Sequence, residues 1–211
     1  MHECSKALLR RMHDARFSTR YFVGSGVDIG AGPDSLDVYR ELFPLIGRVM
    51  EWDVDDGDAQ VLDGLADDTF DFAHSSHCLE HMQDPHAALA NWVRVVKPGG
   101  HLVITVPFLE RLHGDPGDYS RYTRSMWERL LAEADLKPVT IVEQGGYFTH
   151  LAGLLRFLVQ RAPRPLRWAG YGFFPLLDLL TRLDASPRAR GSAFAAFVGG
   201  YLIVAERPPA S

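Results

Sequence analysis

Histidines cluster in one part of the chain, and histidine is the side chain best suited to move protons at neutral pH. The segment "HSSHCLEH" contains His74, His77 and His81. His113 stands ahead of the sequence "GDPGDYSRYT", which adds Tyr119. We predict His77, His81, His113 and Tyr119 as candidate catalytic residues. His77 is the first choice for a general base, because it follows a predicted strand directly.

A cysteine among these histidines raises the question of a metal site. The spacing of His74, His77, Cys78 and His81 matches no recognised zinc pattern, so we predict no bound metal. Cys78 is expected to be a small buried side chain. Glu80 is expected to face solvent or to cap the local turn. With only two cysteines in the sequence, a reduced, cytoplasmic setting is favoured over a disulfide framework.

The stretch "VDIGAGPDS" has the pattern of a strand that runs into a glycine turn. Gly30 and Gly32 tolerate positive φ and let a ligand approach the backbone. The dinucleotide fingerprint needs a third glycine where Ser35 stands. Asp28 and Asp34 place negative charge beside the turn. The pattern therefore favours a cofactor with an ammonium or sulfonium group over a pyrophosphate.

Acidic residues follow the next predicted strand, "GRVMEWDV". Asp53 can accept both hydroxyl protons of a ribose, the role that acids at this position have in nucleotide-binding sheets. Asp55 competes for that role, and a solvated acidic loop is the other interpretation. Asp58 can accept a hydrogen bond from the amine of adenine, while the N–H of Ala59 meets a ring nitrogen.

The segments around these residues alternate between strand and helix patterns. Strands are predicted at "GVDIG", "GRVMEWDV", "TFDFAHSS", "HLVITVPF", "PVTIVEQGG" and "GGYLIVAERP", and helices at residues 3–20, "SLDVYRELFP", "DPHAALANWVRVV" and "SMWERLLAEADL". This alternation predicts a doubly wound, mostly parallel α/β sheet with helices on both faces. Ligands of such sheets bind beyond the carboxyl ends of the strands. We therefore expect Asp28, Asp53, His74 and Pro107 to converge on one crevice.

Several of these segments together resemble class I S-adenosylmethionine-dependent methyltransferases of the broad type-11 kind. The resemblance spans roughly residues 24–146 and rests on "VDIGAGPDS", the acid after the next strand, "DGDAQ", "FDFAHSSHCLEHMQDPHAAL" and "VVKPGGHLVITVP". "HGDPGDYSRYT" also resembles the "DYWRYT"-like signature of a subset of small bacterial methyltransferases, which commonly have an unassigned or glycan-related substrate. The resemblance implies a Rossmann-like, seven-stranded sheet with an antiparallel last strand. It also implies S-adenosyl-L-methionine as cofactor and S-adenosyl-L-homocysteine as product.

The resemblance also implies which residues bind the cofactor. They are Asp28, Gly30, Ala31, Gly32, Asp53, Val54, Asp58, Ala59, His74 and Ser75. The glycine turn would surround the methionine part of the cofactor. Asp53 would hold the ribose, and Asp58 with Ala59 would hold the adenine. His74 and Ser75, just after the strand "FDFA", would contact the methionine end.

The loop "HGDPGDYSRYT" has two interpretations that the sequence leaves equal. In the first it recognises substrate, and Arg121 binds a carboxylate or phosphate group. In the second it is a structural turn, in which Arg121 pairs with an acid and Asp118 or Thr123 caps the next helix.

The chain is predicted to form a single methyltransferase domain over residues 1–211. Its parts are an N-terminal helix (1–22), a cofactor-binding core (23–146), a helical insertion or lid (147–185), and a closing strand and tail (186–211). The insertion is apolar and rich in arginine. Packed helices with arginines on the wet face, a homodimer surface, and peripheral contact with anionic lipid are its three interpretations. We expect neither a membrane-spanning helix nor a secretory signal.

The net charge of -5 argues against nucleic acid as a partner. The leading hypothesis is a methyltransferase that acts on a small-molecule or glycan acceptor. Oxygen is the favoured atom, because the Asn-Pro-Pro-aromatic motif of amino-methylating enzymes is missing. A catalytically inactive cofactor-binding partner protein and a methyltransferase for a lipid-linked substrate are the alternatives. A nicotinamide-dependent oxidoreductase is disfavoured by the missing third glycine.

Overall fold

A computed structural model describes residues 15–113 and 117–209 of the chain. The strands are β1 (Gly24–Ile29), β2 (Ile46–Trp52), β3 (Phe70–Ser76), β4 (Val96–Pro107), β5 (Lys137–Gln144) and β6 (Gly200–Glu206). The helices are α1 (Ala15–Arg20), α2 (Pro85–Val95), α3 (Arg124–Glu133), α4 (Tyr147–Arg161), α5 (Arg164–Tyr171), α6 (Phe174–Thr181) and α7 (Pro187–Arg190). The first part of the predicted N-terminal helix lies outside the described residues.

The strands form one mixed sheet in the order β2-β1-β3-β4-β6-β5. β1 is parallel to β2 and β3, and β3 is parallel to β4. β6 is antiparallel to its neighbours, as predicted. The N–H of Gly99 at the start of β4 donates to the carbonyl of Arg207, just after the end of β6, at 2.8 Å. The N–H of Gly199, just before the start of β6, donates to the carbonyl of Gln144 at the end of β5 at 2.7 Å.

The sheet has six strands among the described residues, one fewer than the resemblance implied. The six strands predicted segment by segment are the six observed. Residues 53–69, which connect the end of β2 to the start of β3, form turns instead of a further helix and strand. This stretch is rich in Asp and Gly and carries no alternating apolar pattern, so it has no face to bury in a sheet.

The core of the sheet is aromatic on one side. Phe22 packs against Phe43 and Phe72, with ring centroids 4.8 Å and 5.3 Å apart. In β4 the run from Leu102 to Pro107 is buried throughout, which matches the continuous apolar pattern of a central strand. Burial on both faces fixes β4 in the middle of the sheet.

Side-chain caps start the two helices that flank this sheet. The Asp84 carboxylate accepts from the N–H groups of His86 and Ala87 at 3.0 Å, with Pro85 as the first residue of α2. Thr123 caps α3 by accepting from Met126 N–H at 3.3 Å. Such caps satisfy backbone donors that a helix leaves open at its start.

The chain divides into two compact units. One comprises Met1–Pro107, Arg111–Val142 and Tyr201–Ser211, and the other comprises Phe108–Glu110 and Glu143–Gly200. The first holds the sheet and its flanking helices.

The second unit contains α4 to α7, and its helical elements continue to Ala196, beyond the predicted boundary at 185. The Asp184 carboxylate, in the turn after α6, joins that turn to the start of α4. It accepts from the N–H groups of Phe148 and Thr149 at 3.0 Å and 2.9 Å. None of the helices in the described ranges has the length and apolar character needed to cross a membrane.

Candidate active site

The carboxyl ends of the first strands meet at one edge of the sheet, as predicted. In the register, Ile29 of β1 lies beside Trp52 of β2 on one side and beside Ser75 of β3 on the other. Ser76 lies beside Thr105 near the end of β4. The chain leaves β1 in one direction to form β2 and returns on the other side as β3. That reversal is the switch point at which doubly wound sheets bind ligands.

The glycine turn after β1 combines a packed position with an open one. Gly30 has φ +71°, and a Cβ there would lie 2.6 Å from the Cys78 sulfur. Its N–H donates to the Trp52 carbonyl at 2.8 Å, which anchors the turn to the end of β2. Gly32 has φ +52°, and a Cβ there would meet nothing within 4 Å. Gly30 is therefore needed for packing, whereas the space beside Gly32 has room for a ligand.

Asp28 and His74 form a buried pair across β1 and β3. Asp28 is 2% exposed. One carboxylate oxygen lies 2.6 Å from His74 Nδ1, and the other accepts from Leu36 N–H at 2.7 Å. Both oxygens of Asp28 are thus used by the protein itself, while His74 Nε2 is buried and has no hydrogen-bond partner among the residues that the structure describes.

The predicted strand "TFDFAHSS" is confirmed, and the placing of His74 and Ser75 just after "FDFA" is wrong. β3 extends to Ser76, and both residues lie inside it, paired in register with Val103 and Ile104 of β4. The strand continues because its neighbour β4 is long enough to pair with this whole stretch. Their assignment to the methionine end of the cofactor remains a prediction.

Asp53 follows β2 directly and keeps part of its carboxylate available. Its Oδ1 accepts from Val54 N–H at 2.8 Å, and its own N–H donates to Asp56 at 2.9 Å. Within the described ranges, Oδ2 of Asp53 has no hydrogen bond. The turn therefore holds the side chain still while leaving one oxygen for a ligand. Val54 is exposed beside it.

The loop that carries Asp58 and Ala59 is clamped to α2. Asp58 Oδ1 accepts from Gln60 N–H at 2.8 Å. The Ala59 carbonyl accepts from Trp92 Nε1 at 2.8 Å, and the Gln60 side chain accepts from Asp84 N–H at 2.9 Å. These bonds fix the loop's backbone near the end of β2.

Glu80 lies at the centre of the histidine cluster. It is fully buried, at 0% exposure, and within the described part of the chain neither carboxylate oxygen has a hydrogen-bond partner. Its Oε1 lies 3.5 Å from His77 Nδ1, 3.9 Å from His81 Nε2 and 3.8 Å from His113 Nε2. The expectation that Glu80 faces solvent or caps the turn is therefore wrong. The 3-10 turn Leu79–His81 directs the side chain inward.

His77 has the left-handed conformation, with φ +55°. Its N–H donates to the Thr105 carbonyl at 2.9 Å, which holds the residue at the end of β3. A non-glycine residue in this region of backbone space is uncommon, and such residues concentrate at functional sites. His77 is partly exposed, so its ring can reach a substrate.

Cys78 matches its prediction as a buried, unreactive side chain. Burial, reinforced by the charge of Glu80, raises the pKa of the Cys78 thiol to about 12. A thiol with so high a pKa is not a nucleophile near neutral pH. Its sulfur fills the space against Gly30.

Contacts in the loop after β4 match the structural interpretation of "HGDPGDYSRYT". Arg121 binds Asp118 through both terminal nitrogens, with Nη2 2.6 Å from Oδ2. This hydrogen bonding by Arg121 lowers the pKa of Asp118 to about 2. The backbone N–H of Tyr119 donates to the Glu80 carbonyl at 2.9 Å. The hydroxyl of its exposed side chain accepts a hydrogen bond from the Gln83 amide at 3.3 Å. The loop thus brings His113 to Glu80.

The fold brings three of the predicted catalytic residues, His77, His81 and His113, to one carboxylate. Sequence reasoning missed Glu80 itself. The signal was present in "HCLEH", where an acid between two histidines stands beside apolar Leu79. Only the inward turn shows that these rings face the acid.

Comparison with known proteins identifies the domain. The family described as "Methyltransferase domain" (Methyltransf_11) matches residues 21–104. No curated protein shows a significant sequence match. Residues 21–104 therefore carry a methyltransferase domain.

Solved structures share the fold over nearly the whole chain. A chain from the complex between the Haloferax volcanii Trm112 methyltransferase activator and a methyltransferase is 19% identical, with a TM-score of 0.58, covering 96% of this chain and 93% of that one. An S-adenosylmethionine-dependent methyltransferase from Archaeoglobus fulgidus is 17% identical, with a TM-score of 0.56, covering 94% and 93%.

A third structure contains a bound product. The Haemonchus contortus phosphoethanolamine N-methyltransferase 2, in complex with phosphomonomethylethanolamine and S-adenosylhomocysteine, is 15% identical, with a TM-score of 0.54. The match covers 97% of this chain and 52% of that one. The family match over residues 21–104 supports the expected class, an S-adenosylmethionine-dependent methyltransferase, and these solved structures share its fold. The "DYWRYT"-like signature stays a prediction.

Proposed function

We propose that this protein transfers a methyl group from S-adenosylmethionine to an oxygen atom of a small-molecule or glycan acceptor. The observation that carries the proposal is the open space beside Gly32, next to the partly available carboxylate of Asp53, at the switch point of the sheet. An acidic site of this kind suits a cofactor that carries a positive charge and a ribose.

The residues present fit such a cofactor. Gly30, Ala31 and Gly32 would line its methionine part, and Asp53, followed by Val54, would accept the ribose hydroxyl protons. Asp58 and Ala59, on the clamped loop, would meet the adenine. When bound, S-adenosylmethionine supplies a methyl group on a sulfonium centre.

Asp28 has a different place in this proposal from the one that resemblance implied for it. Its carboxylate is shared between His74 and the N–H of Leu36. It therefore supports the glycine turn from inside the protein. Its negative charge would attract a sulfonium or ammonium group across the turn without touching it.

His77 would take the proton from the acceptor hydroxyl. Its backbone is held by Thr105, and its ring is partly exposed beside the glycine turn. In-line displacement needs the acceptor oxygen aligned with the methyl group, and a rigid β3 end supplies that alignment. Tyr119, His81 and His113 would complete the acceptor side.

Isothermal titration calorimetry with S-adenosylmethionine and S-adenosylhomocysteine tests the cofactor site. Asp53→Ala should weaken binding about 10- to 100-fold, since a hydrogen bond to a charged group contributes about 1.5–3 kcal/mol. Asp55→Ala, two residues away in the same acidic loop, is the matched control and should change affinity little. Equal losses for both variants would contradict the assignment of Asp53.

Methylation assays on hydroxyl acceptors test the chemical step. His77→Ala should lower kcat with little effect on cofactor affinity, because a general base contributes about 10²- to 10⁴-fold. Unchanged turnover in this variant would contradict the role of His77. Products with methyl on nitrogen alone would contradict the choice of oxygen.

A lipid-linked acceptor is the second candidate, and one observation favours it. The helical unit exposes large apolar side chains, among them Leu166 and Trp168, the latter 71% exposed. Apolar side chains among arginines suit the surface of an anionic membrane.

Flotation with anionic liposomes tests this candidate. The wild-type protein should float with the liposomes, and the Trp168→Glu variant should not. Val38 is exposed on the other unit, so the Val38→Glu variant should still float. A homodimer through these helices would instead show as a mass shift that Trp168→Glu abolishes.

A further inference from the structure

Glu80 presents an electrostatic problem that the proposed methyl transfer does not explain. Its side chain is fully buried, and neither carboxylate oxygen has a hydrogen-bond partner within the described part of the chain. Burying an ionised carboxylate without a partner is strongly unfavourable. A protein that keeps such a group normally supplies a cation for it, either a basic side chain or a metal ion.

The surrounding nitrogens lie at distances suited to a shared ion. His81 Nε2 and His113 Nε2 are 3.9 Å and 3.8 Å from Glu80 Oε1, beyond hydrogen-bonding range. Two ligands each about 2.1 Å from zinc at a tetrahedral angle lie about 3.4 Å apart. The ligand atoms of Glu80, His81 and His113 all lie within 4.8 Å of one another.

Both rings are oriented by an outer partner that fixes where the proton sits. His81 Nδ1 contacts the Gly117 carbonyl, and His113 Nδ1 lies 3.3 Å from the Arg111 carbonyl. A carbonyl oxygen only accepts, so Nδ1 carries the hydrogen in each ring. In the neutral rings, Nε2 then carries the free lone pair, and this is the nitrogen that lies 3.9 Å (His81) and 3.8 Å (His113) from Glu80 Oε1. A metal cation between these atoms would accept a lone pair from each ring and offset the charge of the carboxylate.

An outer carboxylate completes the arrangement. Asp118 Oδ2 accepts from the backbone N–H of His113 at 3.1 Å and lies 3.5 Å from its Nδ1. Arg121 holds Asp118 in place. The carboxylate thus positions His113 through its backbone, while the Arg111 carbonyl is the partner of the ring's far nitrogen, and outer partners of this kind are usual at zinc sites.

We propose that Glu80, His81 and His113 bind one divalent transition-metal ion of the zinc class. Two imidazoles and one carboxylate favour zinc and its neighbours over magnesium or calcium, which prefer oxygen ligands alone. Three protein ligands leave a fourth position for water or an acceptor hydroxyl. His77 lies outside the set of mutually close ligand atoms and stays available as the base. The site joins the turn after β3 to the loop after β4.

The test uses the full chain with its purification tag removed and bound metal stripped by a chelator. Titration with Zn²⁺ should show one equivalent per chain, and Co²⁺ should give the visible absorption of a four-coordinate site. His113→Ala should lower Zn²⁺ affinity at least 10-fold, since even loss of an outer partner costs 10- to 100-fold. Asp118→Asn, which removes no metal ligand, should lower it less.

His86→Ala is the matched control, because His86 is exposed on α2 and pairs with Glu133 at 3.0 Å. It should bind Zn²⁺ like the wild type. No tight Zn²⁺ binding by the wild type, or equal binding by His113→Ala, overturns the proposal. If Glu80→Gln does not fold, His81→Ala and the Co²⁺ spectrum decide instead. Calorimetry with S-adenosylhomocysteine on the same samples shows separately whether the cofactor site is intact.

Discussion

Strand β1 and the turn after β3 each bury a carboxylate near the same edge of the sheet, and the two acids are satisfied in opposite ways. Asp28 has a partner on each oxygen, one a backbone N–H and the other His74. Among residues 15–113 and 117–209, Glu80 has no hydrogen bond on either oxygen, although three histidines lie near it. A buried acid that the chain satisfies is architectural, whereas an unsatisfied one indicates a ligand.

Removing the charge of Asp28 is expected to have the largest effect. Asp28→Asn should lower the free energy of unfolding by about 3–5 kcal/mol, because it breaks a buried, hydrogen-bonded pair. Denaturant unfolding followed by circular dichroism measures the change. Asp37→Asn is the control, since Asp37 pairs with Arg40 on the surface and should cost about 0–1 kcal/mol. A loss for Asp28→Asn no larger than this would contradict an architectural role.

Gly30→Ala tests the contact between the two turns. The new methyl group would meet the Cys78 sulfur at 2.6 Å in a left-handed backbone conformation. Overpacking and φ strain together should cost about 2–4 kcal/mol in thermal or chemical unfolding. Gly32→Ala has the φ penalty alone, about 1–2 kcal/mol.

The double variant Gly30→Ala/Cys78→Ala separates the two contributions to that loss. Removing the Cys78 sulfur should restore stability toward the level of Gly32→Ala. If the double variant is no more stable than Gly30→Ala, the steric contact is not the cause.

Glu80→Gln tests the second acid of the comparison, the one whose oxygens have no hydrogen bond among the described residues. In metal-free protein the substitution should raise the free energy of unfolding, because it removes an uncompensated buried charge. With Zn²⁺ present, the wild type should gain stability by mass action, and the variant should gain much less. A metal-free loss as large as that of Asp28→Asn would show that Glu80 is already paired.

The smallest effect is expected from Asp118, and it depends on pH. Hydrogen bonding by Arg121 lowers the pKa of Asp118 to about 2 in the folded protein. Its contribution to stability is therefore full above the ordinary carboxyl pKa of about 4 and is lost as pH falls toward 2. Melting temperatures of wild type and Asp118→Asn should differ at pH 6 and converge near pH 2. A constant difference across that range would contradict the pairing.

The sequence by itself determined the strands, the sheet type and the edge of the sheet where the predicted cofactor residues meet. Alternating strand and helix patterns, the glycine turn at Gly30–Gly32 and the acid at Asp53 are local signals, because each depends on neighbours a few residues away. Parallel strands then place their carboxyl ends at one edge, so the convergence of these residues followed from topology alone.

Tertiary structure decided which acids are satisfied. Asp28 and Glu80 look alike in sequence, and nothing local shows that His74 lies across the sheet from one while His113, far along the chain, reaches the other. Pairing of a buried charge depends on groups brought together by the whole fold, so it can be read only where that fold is known.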